Sequence, residues 1–208
     1  LAGLDSMTRI ADVILALREA QDVWERVFAW KAEGLAGRWA LDVDVIAKEK
    51  LGRAVGKVLG IDMALILDSP DVAVSVRLAS MEAAGLIRKI PTDYIGRVSR
   101  AVYQSMRQQP FPEGRTLAEE IRLIGGFAEE RARVIARDQT SKMNTNINQI
   151  RQTALGIQEY IWRTSEDSRV VGAPGGKYPQ GNTMHGNHYV RNGKLFRWDE
   201  PPDDGHPG

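Results

Sequence analysis

The stretch that decides the fold reads RARVIARDQTSKMNTNINQIRQTALGIQEYIWRT, residues 131–164. Up to Leu155 its apolar side chains recur three or four positions apart, which predicts an amphipathic α-helix. Gly156 then interrupts the pattern, because glycine readily takes the left-handed conformation that ends many helices. After it, IQEYIWRT is rich in aromatic and β-branched residues, which are typical of a strand. The chain is therefore predicted to change from helical to extended structure at this glycine.

The helix before Gly156 is predicted to run from about residue 128 to 155 and to be the longest in the chain. Its packing stripe consists of residues three or four apart, namely Ala132, Ile135, Gln139, Met143, Ile147, Ile150 and Ala154. A helix of this length needs partners along all of that stripe, and other subunits can supply some of them. Its basic residues are Arg131, Arg133, Arg137, Lys142 and Arg151. Acidic residues interleave with them, which favours a solvated face over a phosphate-binding one.

The residues upstream are also predicted to be helical. A first helix starts near Asp5 or Ser6, either of which can cap it. Its apolar stripe consists of Ile10, Val13, Ile14, Leu17, Trp24 and Phe28. A second helix covers residues 43–59. We therefore expect several separate helices in this half of the chain.

Glycine and proline are predicted to divide the middle of the chain. Pro70, in LDSPD, suits the first position of a helix that Gly85 ends. Pro91 separates that helix from another over residues 93–109. The sequence TLAE, residues 116–119, is a capping box that opens a short helix, and Gly125–Gly126 ends that helix.

The carboxyl-terminal part is predicted to hold a β-hairpin. HYVRNGKLFRW, residues 188–198, places Asn192–Gly193 between two apolar runs, and both residue types accept the positive φ angles of a tight primed turn. The fold class is therefore mainly α with a small C-terminal β-hairpin element (α+β), on an elongated helical body with one long helix. We divide the chain into an N-terminal helical region, residues 1–115, and a second domain, residues 116–208.

Composition narrows the possible functions. Among 208 residues, Lys and Arg number 28 and Asp and Glu 27, so the net charge of +1 does not demand nucleic acid. Without cysteine the chain cannot build disulfides or cysteine-ligated zinc sites. No apolar run approaches the roughly 20 residues that span a bilayer. No glycine-rich phosphate-binding motif is present, so no nucleotide cofactor is expected.

Three residues are candidate metal ligands, namely Asp167, His185 and His188. A catalytic metal site needs about three protein ligands and one open position. The alternative is that Asp167 caps a turn, where it can pair with Arg169 or with His188, and that the histidines form local hydrogen bonds. An Asp–His pair can also act in acid–base catalysis, but no nucleophile motif accompanies it.

Over about residues 116–202, and more loosely before them, the chain resembles the phage Mu protein F-like family of head morphogenesis, or minor head, proteins. The matching positions are Arg131, Ala132, Ile135, Ala136, Arg137, Gly156, Ile157, Trp162, Thr164, Asp167, Arg169, Val170, His188, Gly193 and Phe196. LIRKIP, residues 86–91, also resembles a family segment. Two features depart from the pattern. Val171 stands where the family has Arg, and the Asn–Cys–Arg–Cys-like stretch that follows the hairpin in the family has no counterpart in residues 199–208.

The resemblance implies a non-enzymatic structural component of a phage or prophage head. Such a protein lies in the virion, associates with the portal protein and the major capsid protein, and aids head assembly and DNA packaging or retention, with packaged DNA as a further partner. Its motif positions Arg131, Arg137, Trp162, Asp167, Arg169, His188, Gly193 and Phe196 then serve structure or partner docking. No cofactor and no membrane are implied.

Two alternatives stay open at this stage. The first is a metal-dependent hydrolase or nuclease that acts at the packaged DNA end through Asp167, His185 and His188. The second is a DNA-binding module that uses the arginine-rich helix. Under the structural interpretation, Trp162, Phe196 and Trp198 supply buried area where the hairpin packs on the long helix.

Overall fold

A computed structural model of the chain describes residues 2–59, 67–180, 186–203 and 205–206, and only the backbone in residues 2–10 and 57–59. Three α-helices occupy most of this part: α1 (Ala2–Leu59), α2 (Pro70–Met106) and α3 (Leu117–Ala154). Two short strands follow, β1 (Glu159–Ile161) and β2 (Leu195–Arg197), which pair antiparallel. The fold is mainly α with a small antiparallel β element near the carboxyl end, which confirms the predicted fold class.

The breaks predicted within the helices were wrong. α2 continues through Gly85 and Pro91, α3 continues through Gly125–Gly126, and α1 joins the two helices predicted before residue 59. A glycine in a helix costs only about 1 kcal/mol, which tertiary packing readily offsets. Pro91 removes one backbone donor, and its buried side chain recovers packing. The longest helix is also not the predicted one, since α1 has 58 residues and α3 has 38.

The helix ends that rest on specific hydrogen bonds were predicted correctly. α2 begins at Pro70. At the start of α3 the amide of Thr116 donates to Glu119 Oε2 at 2.8 Å, and the amide of Glu119 donates to Thr116 Oγ1 at 3.3 Å. These two bonds complete the capping box. After α3, Gly156 has a φ of +79°, and the amide of Ile157 donates to the carbonyl of Gln152 at 2.8 Å. Local chemistry therefore sets these ends.

The chain divides into two compact units, each built from separated stretches. The first unit comprises residues 1–42 and 77–139. Its α1–α2 contact is formed by small buried side chains at helical spacing, namely Ala32, Ala36, Ala83 and Ala84, with Trp39 and Ile87 packed at the rim. A second cluster of Ala101, Phe111 and Ile124 fixes the connection between α2 and α3. The sequence-based division into residues 1–115 and 116–208 stays a prediction.

The second unit comprises residues 43–76 and 140–208. Leu51 and Leu67 form a buried cluster, against which Val55 and Leu155 pack. α3 contributes Met143 and Ile147, which are nearly free of solvent contact. This unit also contains the β element. After Gly156 the chain therefore folds back onto the carboxyl-terminal end of α3.

The β element differs from the predicted hairpin in its pairing. Residues 189–191 form a 3₁₀ turn, and β2 pairs with β1, so that Tyr160 lies opposite Phe196. At the turn before β2, Asn192 has a φ of −55° and Gly193 a φ of +79°. The Lys194 amide donates to the Arg191 carbonyl at 2.9 Å. Together these features define a type II turn, in which only one of the two central residues takes the positive φ that we expected of both.

Candidate functional site

Two of the matched positions that follow Gly156, His188 and Phe196, pack on the ring of Trp162. This side chain is only 3% exposed, as expected. The ring centroid lies 5.3 Å from that of His188 and 5.8 Å from that of Phe196. The guanidinium carbon of Arg191 lies 5.2 Å from it, within the range of a cation–π contact. Three of the positions that carry the family resemblance, Trp162, His188 and Phe196, therefore share one aromatic cluster.

Backbone hydrogen bonds fix the chain on both sides of this cluster. The amide of Trp162 donates to the carbonyl of Lys194 at 2.9 Å, and the amide of Gly193 donates to the carbonyl of Trp162 at 2.8 Å. A two-stranded ribbon of such short strands is marginal by itself. The buried ring and these bonds beyond the strand ends explain how the ribbon persists.

A second aromatic group anchors the ribbon to α3. Trp198 is buried, and its ring centroid lies 4.3 Å from that of Tyr160. Its indole N–H donates to Gln152 Oε1, and its carbonyl accepts from Gln149 Nε2, both at 3.2 Å. The β element thus packs on the last turns of the helix, as predicted. On the other side, the hydroxyl of Tyr160 is hydrogen-bonded to His206 Nδ1 at 3.0 Å.

The loop between the strands is held by asparagine side chains. Asn192 Oδ1 accepts from the amide of Thr164, and its Nδ2 donates to Glu166 Oε1, each at 3.1 Å. Gly172 has a φ of +87°, and a Cβ placed there would collide with Asn187 Oδ1. That oxygen accepts from the amide of Val190 at 3.1 Å. Glycine is therefore required where the loop passes this side chain.

Asp167 and Arg169 pair with each other, one of the two pairings that the sequence left open. Asp167 Oδ2 accepts from Arg169 Nη2 at 2.5 Å, and Oδ1 accepts from the Arg169 amide at 2.8 Å. These bonds, led by the guanidinium, lower the pKa of the Asp167 carboxyl from 3.8 to about 2. The carboxylate is thereby committed to a local turn.

The candidate metal ligands do not form a described site. His185 lies outside the described residues. Asp167 is engaged by Arg169, and the ring of His188 packs on Trp162. Within the part of the chain that the structure describes, no group of three His, Asp or Glu side chains is arranged to hold a metal ion.

The two arginines matched in the helix lie in the first unit, whereas the other matched site residues lie in the second. Arg131 Nη2 lies 3.3 Å from Asp93 Oδ2, which ties α3 to α2. Arg137 is exposed on α3. The exposed arginines Arg131 and Arg133 have acidic partners, which agrees with the interpretation of a solvated face.

Arg151 is the residue that the sequence interpretation misplaced. It is fully buried, and its Nε and Nη2 donate to the carbonyl of Leu67 at 3.0 and 2.7 Å. Nη2 also donates to Asp44 Oδ1 at 2.8 Å. It was expected on the outer face, but strict spacing by four from Met143 and Ile147 places it on the buried one. That spacing could have predicted the burial of Arg151 from the sequence. The positive charge of the side chain instead favoured an exposed position.

The same strict spacing corrects the predicted stripe. Gln139, Met143 and Ile147 are buried, whereas Ala132 and Ala154 are exposed. The side-chain amide of Gln139 donates to Glu82 Oε1 at 3.0 Å, so the one polar member of the stripe is satisfied.

The apolar stripe predicted for the first helix is also incompletely covered. Trp24 is exposed on α1. The side chain of Ile10 lies outside the described residues. The stripe is therefore not a continuous buried face.

Comparison with known proteins finds a relative of unknown role. An uncharacterized protein of Haemophilus influenzae strain Rd is 30% identical over 180 residues. The alignment covers 86% of this chain but only 37% of the length of that relative. No family model matches the chain, and no solved structure matches it. None of the described helices is both long and apolar enough to cross a membrane.

Proposed function

We propose that this protein is a minor capsid or head morphogenesis protein of a tailed phage or prophage. In this role it associates with the portal protein or the inner capsid and aids head assembly and DNA packaging or retention. The sequence motifs of the Mu protein F-like family support this function. The observation that carries it is the shared cluster of Trp162, His188 and Phe196, next to Gly193. These positions pack together, and the backbone bonds of Trp162 to Lys194 and Gly193 close the small β element around them.

The arrangement supports a structural rather than a catalytic role. Trp162 and Trp198 are buried, and the Asp167 carboxylate is held by its own arginine. The open face of the β ribbon carries Ile161 and Leu195 directly opposite each other, 53% and 59% exposed. An exposed apolar pair of this kind can form the centre of a protein–protein interface, where apolar area is concentrated. We infer that this face docks on the portal or capsid partner.

The test is incorporation into particles. The gene product is expressed with an epitope tag from its native locus, particles are purified after induction, and portal rings and procapsids are isolated separately. The protein is expected in both fractions and in finished heads. Its absence from every particle fraction, while it is abundant in the cell lysate, would overturn the proposal.

A pair of variants tests the docking face. Ile161→Asp is expected to reduce incorporation at least about tenfold, because it places a charge in an apolar contact. Gln180→Asp adds the same charge at an exposed position of the loop between the strands and is expected to leave incorporation unchanged. Circular dichroism of both variants checks that the fold is kept. Equal incorporation of the two folded variants would exclude this face as the docking surface.

A further inference from the structure

α1 carries a second apolar face that the first unit leaves largely exposed. The face is a run of nine residues with alternating spacings of three and four: Val13, Ala16, Ala20, Val23, Val27, Trp30, Gly34, Gly37 and Leu41. Every position is apolar or small over about four seven-residue repeats, which is the a/d pattern of a coiled coil. We name these nine residues the α1 seam. All of them lie in the first unit.

The α1 seam is distinct from the face that packs on α2, except at Gly37, where a Cβ would lie 3.9 Å from Ser80 Oγ of α2. The α2 contact uses Ala32 and Ala36, both buried. At about 100° per residue, the centre of the seam points about 150° away from those alanines. No seam residue is buried, and Trp30 is 79% exposed. A helix that must satisfy two apolar faces needs a partner for the second.

We propose that the α1 seam binds the same seam of a second copy of this chain, with the two helices antiparallel. The inference does not depend on the proposed role in phage heads. The register that we assign places Val27 opposite Trp30 of the second copy, and Val23 opposite its Gly34. Ala20 then meets Gly37, and Ala16 meets Leu41. In this register Trp30 meets Val27 and never a second Trp30, and the glycines at 34 and 37 meet Val23 and Ala20.

Charge selects this arrangement over the alternatives. In the assigned register Arg26 of each copy lies opposite Glu33 of the other, so two opposite-charge pairs flank the seam. Shifting the antiparallel register by seven residues places Arg26 opposite Arg26, or Glu33 opposite Glu33. In a parallel pair, Arg26 of one copy lies beside Lys31 of the other, and the two Trp30 side chains stack on each other. The only favourable charge contact there is between Glu33 and Arg38. Among these arrangements, the assigned register alone avoids like-charge contacts.

The flanking side chains remain able to make these contacts. Arg26 Nε donates to the Asp22 carbonyl at 3.1 Å within its own helix, which leaves its other donors for a partner. Glu33 accepts from Arg88 of its own chain, and a carboxylate can accept from a second guanidinium. The assigned register also brings Trp24 near Lys31 of the second copy, a geometry suited to a cation–π contact.

The absence of cysteine allows a direct test on the full chain. Two single variants are made, Val23→Cys and Gly34→Cys; a Cβ at Gly34 would meet nothing within 4 Å, so the second variant is sterically tolerated. Each variant alone is expected to stay uncrosslinked under mild oxidation. A mixture of the two is expected to form a disulfide-linked dimer, because the two introduced thiols meet only between antiparallel copies. A mixture that stays uncrosslinked, or crosslinking of each single variant with itself, would overturn the assignment.

Sedimentation measurements complete the test with a matched pair of substitutions. Trp30→Glu is expected to raise the dimer dissociation constant at least about tenfold, because it places a charge within the seam. Leu35→Glu introduces the same charge at an exposed residue outside the seam and is expected to leave the dimer dissociation constant unchanged. A wild-type chain that stays monomeric at high micromolar concentration, or a dimer insensitive to Trp30→Glu, would refute the proposal. The outcome is independent of whether the protein enters particles.

Discussion

Arg151 Nη2 donates to Asp44 Oδ1 at 2.8 Å and so joins two residues that are 107 positions apart in the sequence. The guanidinium is fully buried, and the same group caps the carbonyl of Leu67 just before α2. A single side chain on α3 therefore ties α1 and the start of α2 to the helix that leads into the β element. Burial of such a pair makes the loss of either partner costly.

Replacement of this arginine tests that conclusion. Arg151→Met is expected to lower the free energy of unfolding by about 3–5 kcal/mol, because it strands Asp44 and the Leu67 carbonyl. Arg133→Met, on the exposed face of the same helix, removes only ion pairs to Glu129 and Glu130. That control should cost less than about 1 kcal/mol. Urea denaturation of both variants gives the comparison, and equal costs would contradict a special role for the buried pair.

The buried indole of Trp162 makes a second prediction. Trp162→Ala is expected to cost about 3–5 kcal/mol, since it empties the site that His188 and Phe196 line. Tyr178→Ala removes a half-exposed ring from the same loop region and should cost less than about 1 kcal/mol. Thermal unfolding followed by circular dichroism measures both. An unchanged melting temperature for the Trp162 variant would show that the cluster does not hold the fold.

A side chain at Gly172 has two separate costs, the backbone strain of a positive φ angle and the collision of its Cβ with Asn187. Gly172→Ala is expected to cost more than Gly175→Ala, although both glycines have positive φ, at +87° and +71°. A Cβ at Gly175 meets nothing within 4 Å. Only the backbone strain of about 1–2 kcal/mol therefore applies there. At Gly172 the Asn187 side chain must also move and release the Val190 amide.

A double variant isolates the collision. Adding Asn187→Ala to Gly172→Ala should relieve the collision and leave only the strain and the lost bond to Val190. Chemical denaturation measures the order of these costs. Equal costs for Gly172→Ala and Gly175→Ala would disprove the collision.

The carboxyl of Asp167 makes a prediction for acid pH. Because its pKa is lowered to about 2 in the folded chain, its contribution to stability is present above its ordinary pKa of 3.8. That contribution is lost as the pH falls from 3.8 through about 2. NMR titration of the side-chain carboxyl carbon measures the folded value directly. Arg169→Gln should return the pKa toward 3.8, and an unchanged value would mean that the guanidinium is not the cause.

The sequence was sufficient to predict the features that depend on residues close together along the chain. The start of α2 at Pro70, the capping box of Thr116 and the end of α3 at Gly156 all follow from bonds within a few positions. The burial of Trp162, which lies directly after β1, followed from the size of its apolar ring. The pairing of Asp167 with Arg169 also spans only two residues, which is why the sequence already offered it as one alternative.

The sequence by itself determined that the chain is mainly helical and that extended structure begins after Gly156. It also determined where several helices start and stop. These features arise from local hydrogen bonding and backbone preference. Only the tertiary structure decided that α2 continues through Pro91, that β2 pairs with β1, and that Arg151 is buried against Asp44. Those outcomes depend on groups distant along the chain, and burial between packed elements outweighs the local preference of any single residue.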